Sequence, residues 1–145
     1  MTIPSQDLQR ELTELGFASE IVFDRDLFCP SSAWLDEFSG YLREHMRPSA
    51  GEAWDCDDFA MWARSLASEA NAASGRTCGH SFLFATIGLY DTHLGIAAEM
   101  PTGHAINLVR TSDMGWLFYE PQTGLWSEAR RSIDSGAVAP RRALL

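Results

Sequence analysis

Three short stretches of this chain carry residue types that do covalent chemistry, and they come in a useful order. Trp54-Asp55-Cys56-Asp57-Asp58-Phe59-Ala60 sets a cysteine at the start of a helical pattern. Gly103-His104-Ala105-Ile106-Asn107 sets a histidine at the start of a strand pattern, and Phe118-Tyr119-Glu120-Pro121-Gln122-Thr123-Gly124 closes a strand with a carboxylate. A thiol nucleophile needs a base, and the base needs a group to orient it. Cys56, His104 and Glu120 are the candidates for those three roles. In the first turn of a helix Cys56 has unpaired backbone N–H groups nearby, and these together with an imidazolium favour thiolate. Asp55, Asp57 and Asp58 oppose that by repulsion, although successive side chains fan out by about 100° and can point away from the sulfur. The competing reading of Cys56 is an inert cysteine on an alanine-rich helix face, with the carboxylates complementing the helix dipole.

The elements that must position these groups follow from periodicity. Leu8, Leu12 and Leu15 recur at helical spacing between Ser5 and the stop at Gly16. Residues 19–30 are mixed, with Ile21-Val22-Phe23 and Leu27-Phe28 before Pro30. Ser32 is placed to cap a second helix to about residue 46, with Trp34, Leu35, Phe38, Tyr41 and Leu42 on its apolar side. Asp55 caps a third, to about Ala73, on which Cys56, Phe59, Ala60, Ala63, Leu66, Ala67 and Ala70 share a face. The period changes after Gly79. Ser81–Leu89, Gly95–Glu99, His104–Arg110 and Gly115–Glu120 read as strands, 128–135 as a short helix, and the tail from Val138 as a last strand or loose end. Ser112-Asp113-Met114-Gly115 is a hairpin turn in which paired residue numbers sum to about 227, placing Glu120 within a few residues of His104. The expected fold class is α+β: N-terminal helices, over about 1–75, packed on a C-terminal antiparallel sheet, about 76–145, in one domain.

Competing roles exist for each group. His80, on an apolar strand, is the main rival base; His45 sits near a helix end and His93 in a turn-like stretch. Glu120 also reads as a solvated strand end, and Gln122 as a competing orienter.

Composition narrows the classes. At 145 residues, 46% hydrophobic and 21% charged, the chain has ordinary globular composition and the length of one domain. A net charge of −9 argues against direct nucleic-acid binding, which needs a basic surface. All 11 basic residues are arginine, so no side chain can form a Schiff base. No apolar run reaches the ~18 residues of a membrane span, and the N-terminal stretch lacks signal-peptide character, so a cytoplasmic location is expected. Cys29, Cys56 and Cys78 make an odd count without paired CxxC spacing; a Cys29–Cys78 bridge is compatible with it but runs against the rarity of disulfides in reducing compartments.

Taken together, Asp55-Cys56-Asp57-Asp58, Gly103-His104-Ala105 and Glu120-Pro121-Gln122-Thr123-Gly124 resemble motifs of the papain-like and bacterial transglutaminase-like cysteine proteinases. They also resemble papain-fold toxin and phage-encoded domains, with glutamate in place of aspartate. The resemblance spans roughly residues 50–126. It implies Cys56 as nucleophile, His104 as base and Glu120 as orienter. It further implies possible calcium beside the nucleophile, for which Asp55, Asp57 and Asp58 are the candidates, and otherwise no metal or cofactor. No Gln or Asn precedes Cys56 as an oxyanion donor in the papain manner; the Cys56 backbone N–H and the Trp54 indole are the substitutes. Trp54, Gln122 and Trp116 are candidates for an oxyanion site or substrate groove, with Tyr119 and Trp126 also near the motifs.

The function expected on this basis is a cysteine-dependent hydrolase or acyltransferase on peptide, isopeptide or glutamine amide bonds, with a protein or peptide substrate. The alternative is an inert acidic binding or inhibitor protein, phage-encoded, that blocks a basic surface of a protein target.

Overall fold

The structure is a computed structural model that describes residues 1–20, 24–51, 54–98 and 102–144. In chain order it runs β1 (Thr2–Pro4), α1 (Ser5–Leu15), β2 (Ala18–Glu20), β3 (Asp26–Phe28), α2 (Ser32–His45) and α3 (Cys56–Ala73). There follow β4 (Gly79–His80), β5 (Phe82–Leu89), β6 (Thr102–Thr111), β7 (Gly115–Glu120), β8 (Leu125–Glu128), α4 (Ala129–Asp134) and β9 (Val138–Leu144).

The helices form where side-chain spacing and caps demand them. α1 buries Leu8, Leu12 and Leu15, and stops at Gly16, whose φ of 98° only glycine adopts cheaply. α2 is capped by Ser31, whose hydroxyl accepts the Trp34 N–H at 3.2 Å. Ser32, the expected cap, instead donates its backbone N–H to Asp113 at 2.9 Å, tying the β6–β7 turn to the start of α2. Tyr41, expected on the apolar side, is exposed. α3 opens with a capping box in which the Asp58 carboxylate accepts the Asp55 N–H at 3.2 Å.

The expected fold class is wrong in two respects. The strands make two sheets, a three-stranded β1-β3-β4 and a six-stranded β2-β9-β5-β6-β7-β8, and β3–β4 and β2–β9 pair in parallel. The described residues among the first 75 therefore supply three strands besides their helices, each three residues long and too short for alternation to register. Helices also cover both faces of the large sheet. Leu8 and Leu12 of α1 join Ile87, Leu108 and Phe118 in one core, while Leu35, Phe38 and Ala63 of α2 and α3 join Phe82, Val109 and Tyr119 in the other. Alternation along the strands produces this division.

The expected strand over 95–99 is reduced to an isolated bridge between His93 and Ile96; Glu99 lies outside the described residues, as does Ile21-Val22-Phe23. The hairpin register is one residue from expectation, with Asn107 opposite Tyr119 and Thr111 opposite Gly115. All three cysteines are free. No helix among the described residues is long and apolar enough to cross a membrane.

Ala60, Ala63 and Ala67 are fully buried, which lets α3 lie close on β5 and β6. Asn107, also fully buried, donates Nδ2 to the carbonyls of Ala60 at 2.9 Å and Leu83 at 3.1 Å, bridging helix and sheet. Replacing it removes both bonds. Asn107→Ala is expected to cost on the order of 2 kcal/mol of unfolding free energy in chemical denaturation. A cost near zero would show that the bridge contributes nothing to holding α3.

Candidate functional site

The site lies where the first turn of α3 meets the start of β6 and the end of β7. Cys56 is the first residue of α3 and is half-buried. Its thiol hydrogen-bonds the His104 ring, and the Ala105 backbone N–H donates to the same sulfur. His104 Nε2 lies 2.6 Å from Glu120 Oε2, and Glu120 is 1% exposed. With Nε2 committed to the carboxylate, Nδ1 is the nitrogen left for the thiol. Glu120 Oε1 accepts the backbone N–H of Gln122 at 3.1 Å, so both carboxylate oxygens are engaged. The structure thus brings Cys56, His104 and Glu120 into one chain of hydrogen bonds. It places Glu120 in the interior, against the solvated reading.

The electrostatics follow from these contacts. The His104 hydrogen bond pulls the Cys56 thiol below its ordinary range, outweighing burial, with the Ala105 N–H assisting and the Asp55 charge opposing. Burial alone would depress His104, but its hydrogen bonds to Cys56 and Glu120 and their charges prevail and hold the ring up at about 9. Shifts of opposite sign favour thiolate beside imidazolium.

The turn after β7 locks the carboxylate in place. The N–H of Gly124, at φ 72°, returns to the Glu120 carbonyl at 2.8 Å. Thr123 Oγ1 donates to the carbonyl of Leu94 at 2.8 Å, securing a loop in which Leu94 itself has a φ of 50°. The same loop is held by His93, whose Nε2 lies 3.0 Å from Ser127 Oγ and 2.9 Å from Ser132 Oγ. His93 is therefore a buried brace, a role that its turn-like sequence context concealed.

The remaining candidates divide. Trp54 packs edge-on against Phe59 at 5.6 Å beneath Arg47, and its buried Nε1–H has no partner among the described residues. Gln122 meets Glu120 through its backbone. Trp116 is not at the site. It sits four residues up β7, about 14 Å from Glu120 at ~3.4 Å per residue, with Nε1 bonded to Glu11 at 2.8 Å. Tyr119 is core, bonded to Ser39, and Trp126 donates to Asp36. His80 faces away near the far end of α3, and His45 bonds its own helix at Tyr41.

Ligand atoms of Asp55, Cys56 and Asp57 lie within 4.8 Å of one another. Asp55 has its pKa raised chiefly by a hydrogen bond with Asp57, and one buried Asp55 oxygen has no partner among the described residues. Asp58 is taken up by the helix cap. Two carboxylates and a thiol engaged by His104 make a poor fit to calcium, which takes six to eight oxygens.

No protein-family model matches the chain, and no curated protein does. Several solved structures share its fold, among them the following two. One is the Polyporus squamosus lectin bound to the human-type influenza-binding epitope Neu5Aca2-6Galb1-4GlcNAc, at TM-score 0.74 and 16% identity, covering 99% of this chain and 49% of that one. The other is a complex of PSL1a with E64, at TM-score 0.70 and 15% identity, covering 99% of this chain and 50% of that one. This chain thus spans about half the length of the solved chains it matches. These matches overturn the assignment to papain-like or transglutaminase-like proteinases. With it go the expected amide hydrolase or acyltransferase and its protein substrate, because the matching fold is that of part of a lectin chain. The acidic inhibitor reading finds no support in them either.

Two titrations check the electrostatics. In an NMR titration His104 is expected to lose its proton near pH 9 and His80 to gain one only near pH 4. Since the folded pKa of His104 exceeds its ordinary 6.5, its stabilising contribution is complete below about pH 6.5 and is lost as pH rises through about 9. A His104 midpoint near 6.5 would refute the coupling.

Proposed function

We propose that Cys56, His104 and Glu120 form a nucleophilic thiol centre, in which a thiolate held by an imidazolium attacks an electrophilic carbon of a bound ligand. The observation that carries this reading is the continuous hydrogen-bonded chain from the Cys56 thiol through His104 to a fully engaged, buried Glu120. Each member has its role. Cys56 supplies the electron pair, His104 keeps the thiol ionised and can return a proton to a leaving group, and Glu120 fixes the imidazole. The backbone N–H groups of the first turn of α3 are donors available to negative charge that develops on the ligand.

Iodoacetamide tests the reading directly, since S–C bond formation expels iodide and leaves a mass tag. At pH 6–7 Cys56 is expected to react faster than Cys78, and His104→Ala is expected to slow it by at least about ten-fold. E64, held by PSL1a in the second matching structure, is a second probe, with intact mass and peptide mapping as the readout. An adduct on Cys56 that disappears in Cys56→Ala supports the centre. Equal labelling of Cys56 and Cys78 at pH 6–7 would sink it.

The lectin match favours carbohydrate binding as a second reading. The cleft with suitable chemistry is lined by Glu11, Glu14, Arg110, Trp116, Glu128 and Arg130, with a volume of about 370 Å³. An indole edge, carboxylates and guanidinium groups together suit a saccharide's apolar face and hydroxyls. NMR titration with Neu5Aca2-6Galb1-4GlcNAc should shift the Trp116 indole resonance if this reading holds, and Trp116→Ala should abolish the binding. No shift at Trp116 would reject this cleft as the glycan site.

A further inference from the structure

The helices α2 and α3 carry one pattern twice. On α2, Trp34, Glu37, Phe38 and Tyr41 stand at i, i+3, i+4 and i+7. On α3, Leu66, Glu69, Ala70 and Ala73 stand at the same four spacings. These side chains together line an open groove of about 380 Å³ between the helices. Residues so spaced share one helix face, and each helix therefore presents about 10 Å of its length, two turns, to the groove.

One wall is aromatic and the other is small. Trp34 stacks on buried Phe38 at 4.7 Å between centroids, with the rings 13° from parallel. Tyr41 extends that apolar strip and is 46% exposed. On α3 the two alanines leave open the space that larger side chains would fill. The polar members are both carboxylates, one on each helix. Glu37 and Glu69 are exposed, and neither has a hydrogen bond or ion pair among the described residues. Glu69 also lies about one turn from the C-terminus of α3, where the helix dipole is negative and the last turn holds no basic residue. The arginines of the two helices do not line the groove: the Arg43 charge acts on Tyr119, and Arg64 lines the cleft around Asp24. Arg76 belongs to the adjoining cleft, which shares Trp34 and Ala70 with the groove, and lies over the Phe28 ring at 3.7 Å. The groove is thus mainly apolar, with an uncompensated carboxylate from each helix.

We propose that this groove binds an amphipathic helix of a protein partner, one whose apolar stripe is flanked by lysine or arginine. Apolar side chains spaced three or four residues apart enter between Trp34 and Phe38 on one side and Leu66 and Ala70 on the other. The flanking cations meet Glu37 and Glu69. The net charge of −9 steers a basic segment toward this surface and repels an acidic one. An extended strand fits less well, because its same-face side chains recur at about 7 Å while the groove repeats with the ~5.4 Å turn of a helix. The site goes beyond the thiol centre and shares no residue with it; Leu66 is ten residues past Cys56, about 15 Å along α3.

The probe is a leucine–lysine peptide of about 14 residues, long enough for a marginal helix, with its leucines at helical spacing. One control peptide carries glutamate for every lysine, and another has the same composition with leucine and lysine alternating. An NMR titration of the ¹⁵N-labelled protein follows the Trp34 indole and the backbone amides of Glu37, Glu69 and Ala70. Saturable shifts centred on these groups are expected with the probe. Affinity should fall at least about ten-fold for both control peptides and for the probe on the double variant Glu37→Lys, Glu69→Lys. The matched reversal at exposed Asp91 and Asp134, outside the groove, should change it by less than about two-fold and so separates the groove from net charge. The altered side chains are all exposed, and the remaining resonances of each variant check its fold. Equal binding of the three peptides, equal loss in the two double variants, shifts centred elsewhere, or no saturable shift at about 1 mM probe would each overturn the proposal. So would Trp34 shifts on dilution of the protein alone, which would give the groove to a second copy of the chain.

Discussion

The close approach of α3 to the sheet is the constraint on which the thiol site depends. A cysteine on a helix and a histidine on a strand meet only if the two backbones come nearer than bulky side chains allow. The buried Ala60, Ala63 and Ala67 permit that, and Asn107 makes the contact specific by reaching from β6 to a helix carbonyl. With the helix so placed, its N-terminal turn arrives beside His104 and Ala105, and the Ala105 N–H reaches the Cys56 sulfur. Geometry made by packing thus becomes electrostatics at one atom.

A second layer of support comes from the segment after β7. Glu120 is held by a turn, the turn by Thr123 on the Leu94 carbonyl, and that loop by His93 and two serines. A buried carboxylate is costly unless its oxygens are fully engaged, and here both are. The outer residues have no chemistry of their own. They fix the angle from which the carboxylate addresses the imidazole.

Much of this was legible in the sequence, and the reasons separate the successes from the failures. The three long helices and the β6–β7 hairpin show because their periods repeat over many residues and their caps and turn residues agree. Cys56, His104 and Glu120 stood out because few residue types can act as nucleophile, base and orienter in that order. The short strands β1, β2 and β3 were invisible, since three residues carry no period. Pairing of β2 with β9, from opposite ends of the described chain, has no local signal at all. Trp116 was misplaced because proximity along a strand does not mean proximity to a site.

The position of β9 has a consequence for how the molecule is made. It lies inside the large sheet, between β2 and β5, yet it is the last strand described. Residue 18 must find residue 142, and Phe84 must find Leu144, before the sheet is continuous. During synthesis β5 would remain an open edge, ready to accept a foreign strand, until residues beyond 138 had left the ribosome. Such a high contact order slows folding and delays commitment to the final sheet. The chain's early hairpin can form promptly, but closure of the sheet waits for the far end.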